Sequence, residues 1–292
     1  MSNNQEFQYL NLINKVLTQG NLRSTRNANT ISLFSEKMEF DISDSFPLLT
    51  TKKVYFKGVV KELLWFLKGN TNSKELECDK VNIWKGNSSR EFLDSIGLHN
   101  NTEGDCGPIY GFQWRHFNAK YINSNTDYSG QGIDQLQNII DLIKNNPKSR
   151  RIYMTAWNPC QLSEMALPPC HVSYQFYVRN KDEKAYLDCM MYQRSGDLFL
   201  GVPFNIASTS LLVYILANIC NISPGKISII IGDAHIYENH IEQVKTQLSR
   251  IPTSFPKVKI NNQLSSIEDL KYEDIILDNY NPQSAIKASM IA

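Results

Sequence analysis

Apolar positions in this chain recur with two periods, and the switches between them mark out its elements. Phe7, Leu10, Ile13, Val16 and Leu17 repeat at helical spacing, so residues 5–19 are predicted to form a helix that Gly20 ends. The polar stretch NLRSTRNANT reads as a loop, ISLFSEKMEF as a strand pair or one bent strand, and FPLLTTKK as a turn. The next helix, KGVVKELLWFLKGNT, is apolar around most of its circumference. Residues 85–104 and 118–132 are rich in Asn, Ser and Gly and read as surface insertions. Residues 133–144 return to helical spacing, and IYMTAW is a strand. In HVSYQFYV the period is two: Val172, Tyr174, Phe176 and Val178 point one way, Ser173, Gln175 and Tyr177 the other. AYLDCMMY and ISIII read as further strands. The apolar run 206–220 is a buried helix, too short and too rich in Ser, Thr and Asn to span a bilayer.

No stretch among the 292 residues resembles a linker, so one domain over 1–292 is expected. With 30 basic and 29 acidic residues, charge gives no general attraction to nucleic acid or membrane, and neither is expected as a partner. Any anion site must be local. The six cysteines lack a CxxC pair and zinc-ligand spacing, which points to reduced thiols, an intracellular setting and no metal. MSNNQEFQYL lacks the basic region and apolar core of a signal peptide, so the expected compartment is the cytoplasm, with the nucleus as the alternative.

Candidate chemistry gathers around MALPPCHVSYQFYV. Pro168 and Pro169 fix their own φ and bias their predecessors to extended backbone, so Cys170 is held on stiff chain where a strand begins. A lone cysteine is more often a buried small residue than a nucleophile, so its neighbours decide. Glu62 lies inside an apolar helical run, either buried with a raised pKa or turned to the helix's polar edge. Tyr110, among aromatics and glycines, is a core hydroxyl or a catalytic one. Arg23 and Arg26 on a loop, and Arg150 and Arg151 at a strand entrance, either face water or converge on a phosphate, whose geometry the guanidinium matches. Between a strand and the apolar helix, QRSGDLFLGVPFN crowds Arg194, Ser195, Asp197 and Asn205 with two glycines, a density of polar groups hard to explain as structure alone. His235 and Tyr237 stand two apart and share a face if the ISIII strand continues.

LPPCH, YQRSGD, GVPFNIAS and GDAHIYENH, in this order and with paired arginines before the first, closely resemble the folate-dependent, cysteine-type thymidylate synthase family. The likeness runs from Phe7 to the tail, and the polar insertions resemble those of eukaryotic-type members. It implies a three-layer α/β (α+β) fold around a large mixed sheet, and a homodimer whose sheets pack on each other. The implied activity is reductive methylation of dUMP to dTMP, with 5,10-methylenetetrahydrofolate as one-carbon and hydride donor and dihydrofolate as product.

Carried over residue by residue, Cys170 would add to C6 of the uracil ring. Because a free thiol is only about 3% ionised at pH 7, the phosphate-holding arginines would also serve to favour its thiolate. Those are Arg26, Arg194, and Arg150 and Arg151 of the partner subunit, with Ser195 adding a hydroxyl. Asn205 would read the O4 and N3 edge, while Glu62, Tyr110 and His171 match the water network and proton removal from C5. His235 and Tyr237 match the ribose pair. Asp197 matches the pterin ligand, Ile83, Trp84, Leu200 and Phe204 the apolar wall around the folate, Lys52 the place of its glutamate tail, and Ala292 the closing terminus. The sequence departs from the family in several places. RNANT stands for the usual RTGTGT, leaving Arg23 as the alternative to Arg26. Gln283-Ser284 replaces His-Pro and the tail ends SMIA, which implies weaker closure over the folate. Thr209 replaces a frequent aromatic, an expected change of packing only. A pyrimidine hydroxymethylase and an inactive RNA-binding relative are the competing readings; Asn205 counts against the cytosine form of the first, and the balanced charge against the second.

Overall fold

The computed structural model describes residues 5–25 and 28–290. In chain order its elements are α1 (Glu6–Gln19), β1 (Asn21–Ser24), β2 (Asn29–Asp41), α2 (Phe56–Leu67), α3 (Ser73–Cys78), α4 (Arg90–Ser95), α5 (Tyr110–His116) and α6 (Gln135–Asn145). Then come β3 (Tyr153–Thr155), β4 (His171–Lys181), β5 (Lys184–Asp197), α7 (Gly201–Ile219), β6 (Ser223–Tyr237), α8 (Ile241–Leu248), β7 (Lys257–Ile260) and β8 (Ile275–Asp278). Six strands form a mixed sheet in the order β1-β2-β6-β5-β4-β3, while β7 and β8 pair separately. Only β5 and β6 run parallel in that sheet. A parallel pair needs a crossover, and α7 supplies it. The carboxyl ends of β5 and β6 therefore emerge side by side, with Ser195 opposite Asp233 and Asp197 opposite His235. Ligands of α/β sheets gather at such ends.

The α7 helix is long and apolar enough to cross a membrane, yet most of it is packed inside the core, which explains an apolar sequence with no solvent face. One face of the sheet is covered: Leu187, Cys189 and Met191 on β5 and Ile227, Ile229 and Ile231 on β6 are buried. Their alternating neighbours on the other face, Met190 and Tyr192, join Tyr177 and Tyr153 as exposed apolar groups.

Several elements differ from expectation. Residues 21–24, expected as loop, pair with residues 29–32 as a hairpin arm, because their partner strand lends them the hydrogen bonds that their own polar sequence does not suggest. β2 is one strand of 13 residues with Ser35 at φ 66°, which agrees with the bent strand and not with the strand pair. The segment 85–104 is not all surface: it contains α4 and buries Ser88 and Leu93. Ala119 and Tyr128, in the second polar insertion, pack on Phe112. IYMTAW contributes only three residues to the sheet. GPIYGFQWRHF, left open by its pattern, is the short helix α5. Gly111 permits this, since a Cβ there would lie 2.3 Å from the Phe66 carbonyl oxygen. That close approach of α5 to α2 stacks Tyr110 on Phe66 with centroids 4.8 Å apart.

Candidate active site

The diproline does more than stiffen the approach to Cys170. Proline nitrogens donate no hydrogen bond, but the carbonyls of Pro168 and Pro169 accept from Arg194 Nη2 and Nε, both at 2.8 Å. The Arg194 backbone N–H donates to the Cys170 carbonyl at 2.9 Å, and Nη2 lies 3.7 Å from Cys170 Sγ. The guanidinium also sits over Trp157, 5.7 Å from the ring centre. Its orientation is thus fixed by backbone before any ligand arrives. Even so, burial pushes the Cys170 thiol up and outweighs the opposing pull of Arg194 and then of Tyr110. Arg194 alone does not activate the thiol, so the expectation of arginine activation needs further cations than this chain brings to its own cysteine.

Tyr110 accepts the Cys170 backbone N–H at 2.8 Å, and its phenol is pushed well above its ordinary range chiefly by burial. It begins α5 at φ 21°, a strained value of the kind found at functional sites. Beside it, Trp84 Nε1–H donates to Glu62 at 2.7 Å. Glu62 is half-buried, and the desolvation of its carboxyl lifts it to about 7 against that hydrogen bond, in the direction of the raised-pKa alternative. A carboxyl near 7 exchanges protons readily at neutral pH.

This shift has a stability cost that can be measured. The folded carboxyl at about 7 stands above its unfolded value, so the native state binds the extra proton between the two. Its contribution is complete below the unfolded pKa and lost as pH rises through 7. We expect Glu62→Gln to match wild type in urea unfolding near pH 4.5 and to exceed it by roughly 2–3 kcal/mol at pH 8. His171, pushed down to about 4 by burial, acts in the opposite sense: its contribution is complete above the unfolded histidine pKa and lost as pH falls through 4. It is present in both proteins and leaves the difference intact.

Around Asn205 the polar groups form a continuous run. Gln193 Nε2 donates to the Ser195 carbonyl and to Asn205 Oδ1, each at 2.9 Å, and Asn205 Nδ2 lies 2.6 Å from His171 Nε2. Gln193 is 2% exposed, and its Oε1 has no partner among the described residues. Gln193 carries little signal in the sequence beyond its position, two residues before Ser195 on a strand and hence on the same face.

At the end of β6, His235 and Tyr237 share a face as expected, with rings edge to face at 5.1 Å. Asp233, also unread in the sequence, ties this end together: it lies 3.2 Å from His235 Nδ1 and 2.5 Å from Arg23 Nη1. His235, and after it Arg23, hold Asp233 below the ordinary carboxylate range. Arg23, the alternative to Arg26, is exposed and pairs with this carboxylate through Nη1. Arg26 and Ala292 lie outside the described residues.

Asp197 Oδ1 accepts the N–H groups of Phe199 and Leu200 and shapes the turn into α7. Ile83, Leu200 and Phe204 are half-buried and Trp84 buried at the edge of the core. Lys52 is buried, with Nζ on the Phe199 carbonyl and 3.5 Å from that ring's centre. Burial brings its ammonium down to about 7 despite Asp197. Gln283 and Ser284, the atypical tail residues, serve as anchors: the Gln283 N–H donates to the Thr50 carbonyl at 2.8 Å, and Arg250 Nη1 to the Ser284 carbonyl at 2.6 Å. Arg150 and Arg151 are exposed and stand apart from Cys170 of their own chain. Arg150 lines a groove on the open sheet face with Tyr177 and Met190, and Arg151 another with Tyr153 and Asn138. No group of three or more His, Cys, Asp or Glu side chains suited to a metal occurs among the described residues.

A half-buried thiol beside a fixed guanidinium, a carboxyl raised to about 7 and an oriented amide gather near the carboxyl end of β5, a set of groups suited to nucleophilic and acid–base chemistry. A family model described as thymidylate synthase matches residues 7–292. The chain is 53% identical over 286 residues to the thymidylate synthase of Homo sapiens, covering 98% of this chain and 90% of that protein. It is 49% identical to that of Equine herpesvirus 2, covering 98% of each. Against the bifunctional dihydrofolate reductase-thymidylate synthase of Paramecium tetraurelia it is 54% identical, and the chain spans 61% of that protein's length. The chain belongs to the thymidylate synthase family, enzymes that methylate dUMP to dTMP.

Proposed function

We propose that this chain, as a single intracellular catalytic domain, uses Cys170 to add to C6 of dUMP in the course of reductive methylation. The observation that carries the reading is the oriented amide of Asn205, tied through His171 to the residue that bears the thiol. Its remaining Nδ2 hydrogen is free to donate to O4 of uracil, and its Oδ1 can accept from N3–H. Charge that develops on O4 when sulfur adds at C6 meets that donor. Arg194 and Ser195 hold the phosphate, and His235 and Tyr237 the ribose. Glu62 exchanges protons near neutrality. The half-buried apolar group Ile83, Leu200 and Phe204, with Trp84 and Asp197, suits a flat pterin with one polar edge. 5,10-Methylenetetrahydrofolate supplies the one-carbon unit and the hydride. The test is the appearance of dihydrofolate when the protein meets both substrates. A product heavier by one oxygen, with no dihydrofolate, indicates the hydroxymethylase instead.

A homodimer is part of the same proposal. The sheet face that carries Tyr177, 66% exposed, with Tyr153, Met190 and Tyr192, is an apolar surface of the kind partners cover. Arg150 opens onto that face and not toward its own Cys170, which supports donation of Arg150 and Arg151 to the partner's site.

Asn205→Asp tests the uracil reading. A carboxylate cannot donate to O4, and it would face the His171 Nε2 lone pair unless one of the two takes up a proton. Turnover of dUMP is expected to fall, and the kcat/KM ratio of dUMP to dCMP to move toward cytosine. Paired buried hydrogen bonds can discriminate by about 10⁴ to 10⁵, so the shift has room to be large. An unmoved ratio places base selection elsewhere.

A further inference from the structure

We propose that Tyr174, buried on β4 and outside the groups assigned to substrate, is a positioning residue that completes a one-way hydrogen-bond chain fixing the Asn205 amide in the orientation that reads uracil. The inference rests on the uracil reading of Asn205 given above. The direction of the chain is set by a group with no choice. The Ser195 carbonyl can only accept, so Gln193 must present Nε2 to it. The same Nε2 lies 2.9 Å from Asn205, whose facing atom must then be Oδ1. Nδ2 is left facing His171 Nε2 at 2.6 Å, and that ring nitrogen must carry a lone pair.

A neutral imidazole has one N–H, which must then sit on Nδ1. His171 is neutral at pH 7, since burial pushes it down to about 4. Nδ1 lies 3.3 Å from the Tyr174 oxygen, which accepts. Tyr174 is 2% exposed, so bulk water does not compete for this proton. The Thr209 hydroxyl is buried beside the phenol and has no partner of hydrogen-bonding geometry among the described residues. Thr209, expected to affect packing only, therefore borders the polar chain.

Without the phenol oxygen, Nδ1–H loses its acceptor and the Nε2–H tautomer becomes competitive. That tautomer demands Oδ1 from Asn205 and turns the amide over, presenting a cytosine-like complement to the base. The Gln193 bond opposes the reversal, so the expected loss is partial.

The test uses the whole protein labelled with ¹⁵N-histidine, with His171→Gln identifying the signal. In wild type without nucleotide, His171 is expected to carry its proton on Nδ1. In Tyr174→Phe, which keeps the ring, the Nε2–H form should appear. The dUMP kcat/KM should fall about two- to tenfold, the loss of one neutral hydrogen bond, and the dUMP to dCMP ratio should fall with it. KM for the folate should hold. A wild-type proton on Nε2 overturns the proposal. So does a Tyr174→Phe protein with unchanged tautomer and nucleotide ratio whose unfolding midpoint alone has moved, since that is a structural role. The tautomer is read without substrate, so a failure of the uracil reading and a failure of the chain are separate results.

Discussion

Cys170→Ala is expected to reduce turnover of dUMP to background while dUMP still binds within a few-fold of wild type. The loss is total because no other group can form the bond to C6; the intermediate itself disappears, not merely its stabilisation. Binding persists because the phosphate and ribose groups sit on other elements: Arg194 is held by the Pro168 and Pro169 carbonyls, which the substitution leaves in place, and His235 and Tyr237 belong to β6. Turnover under saturating folate and calorimetric titration with dUMP are the two measurements. Residual turnover above background removes Cys170 from the nucleophile role. Cys106, Cys189 and Cys220 provide the contrast: burial pushes each thiol well above its ordinary value with no arginine against it. Their conversion to serine or alanine should leave kcat/KM within a few-fold.

How much of this was legible in the sequence differs by element for physical reasons. α1 and β4 were readable because a single period persists over many residues, and α7 because its apolar run is long and nearly unbroken. β1 was not, because four exposed residues carry no pattern and gain their strand conformation only from β2. The chemistry behaved likewise. Cys170, Arg194 and Asn205 stand in dense polar motifs between apolar runs, and the fold brings them together. Gln193, Asp233 and Tyr174 looked like ordinary strand residues. Their roles arise from partners 2 to 210 positions away, and separation along the chain does not encode direction of a hydrogen bond. Glu62 shows the intermediate case: the helix pattern placed it in apolar surroundings, but only the packing around α2 decides that its carboxyl is raised to about 7, with the Trp84 hydrogen bond opposing the rise.

Mixing two inactive proteins, Cys170→Ala and Arg151→Ala, is expected to restore activity toward one quarter of the wild-type level per total site. Two-fold symmetry sets that fraction. In a two-fold dimer each site that borrows an arginine combines the thiol of one subunit with the guanidinium of the other. A heterodimer of these variants has one site lacking both groups and one lacking neither. Random exchange makes half the dimers heterodimers, and half of their sites are intact. The placement of Arg151 motivates the experiment: it is exposed near Tyr153 and Asn138, away from its own Cys170, and Arg194 alone leaves that thiol above its ordinary pKa. Two cations from the partner would pull the thiol down and clamp a phosphate that Arg194, with Nε and Nη2 already engaged, holds by one arm. The heterodimer is to be isolated through distinct affinity tags, so that exchange is established independently of activity. An isolated heterodimer without turnover places Arg151 in its own subunit's site, or removes it from phosphate binding, and the exposed sheet face would then need a different explanation.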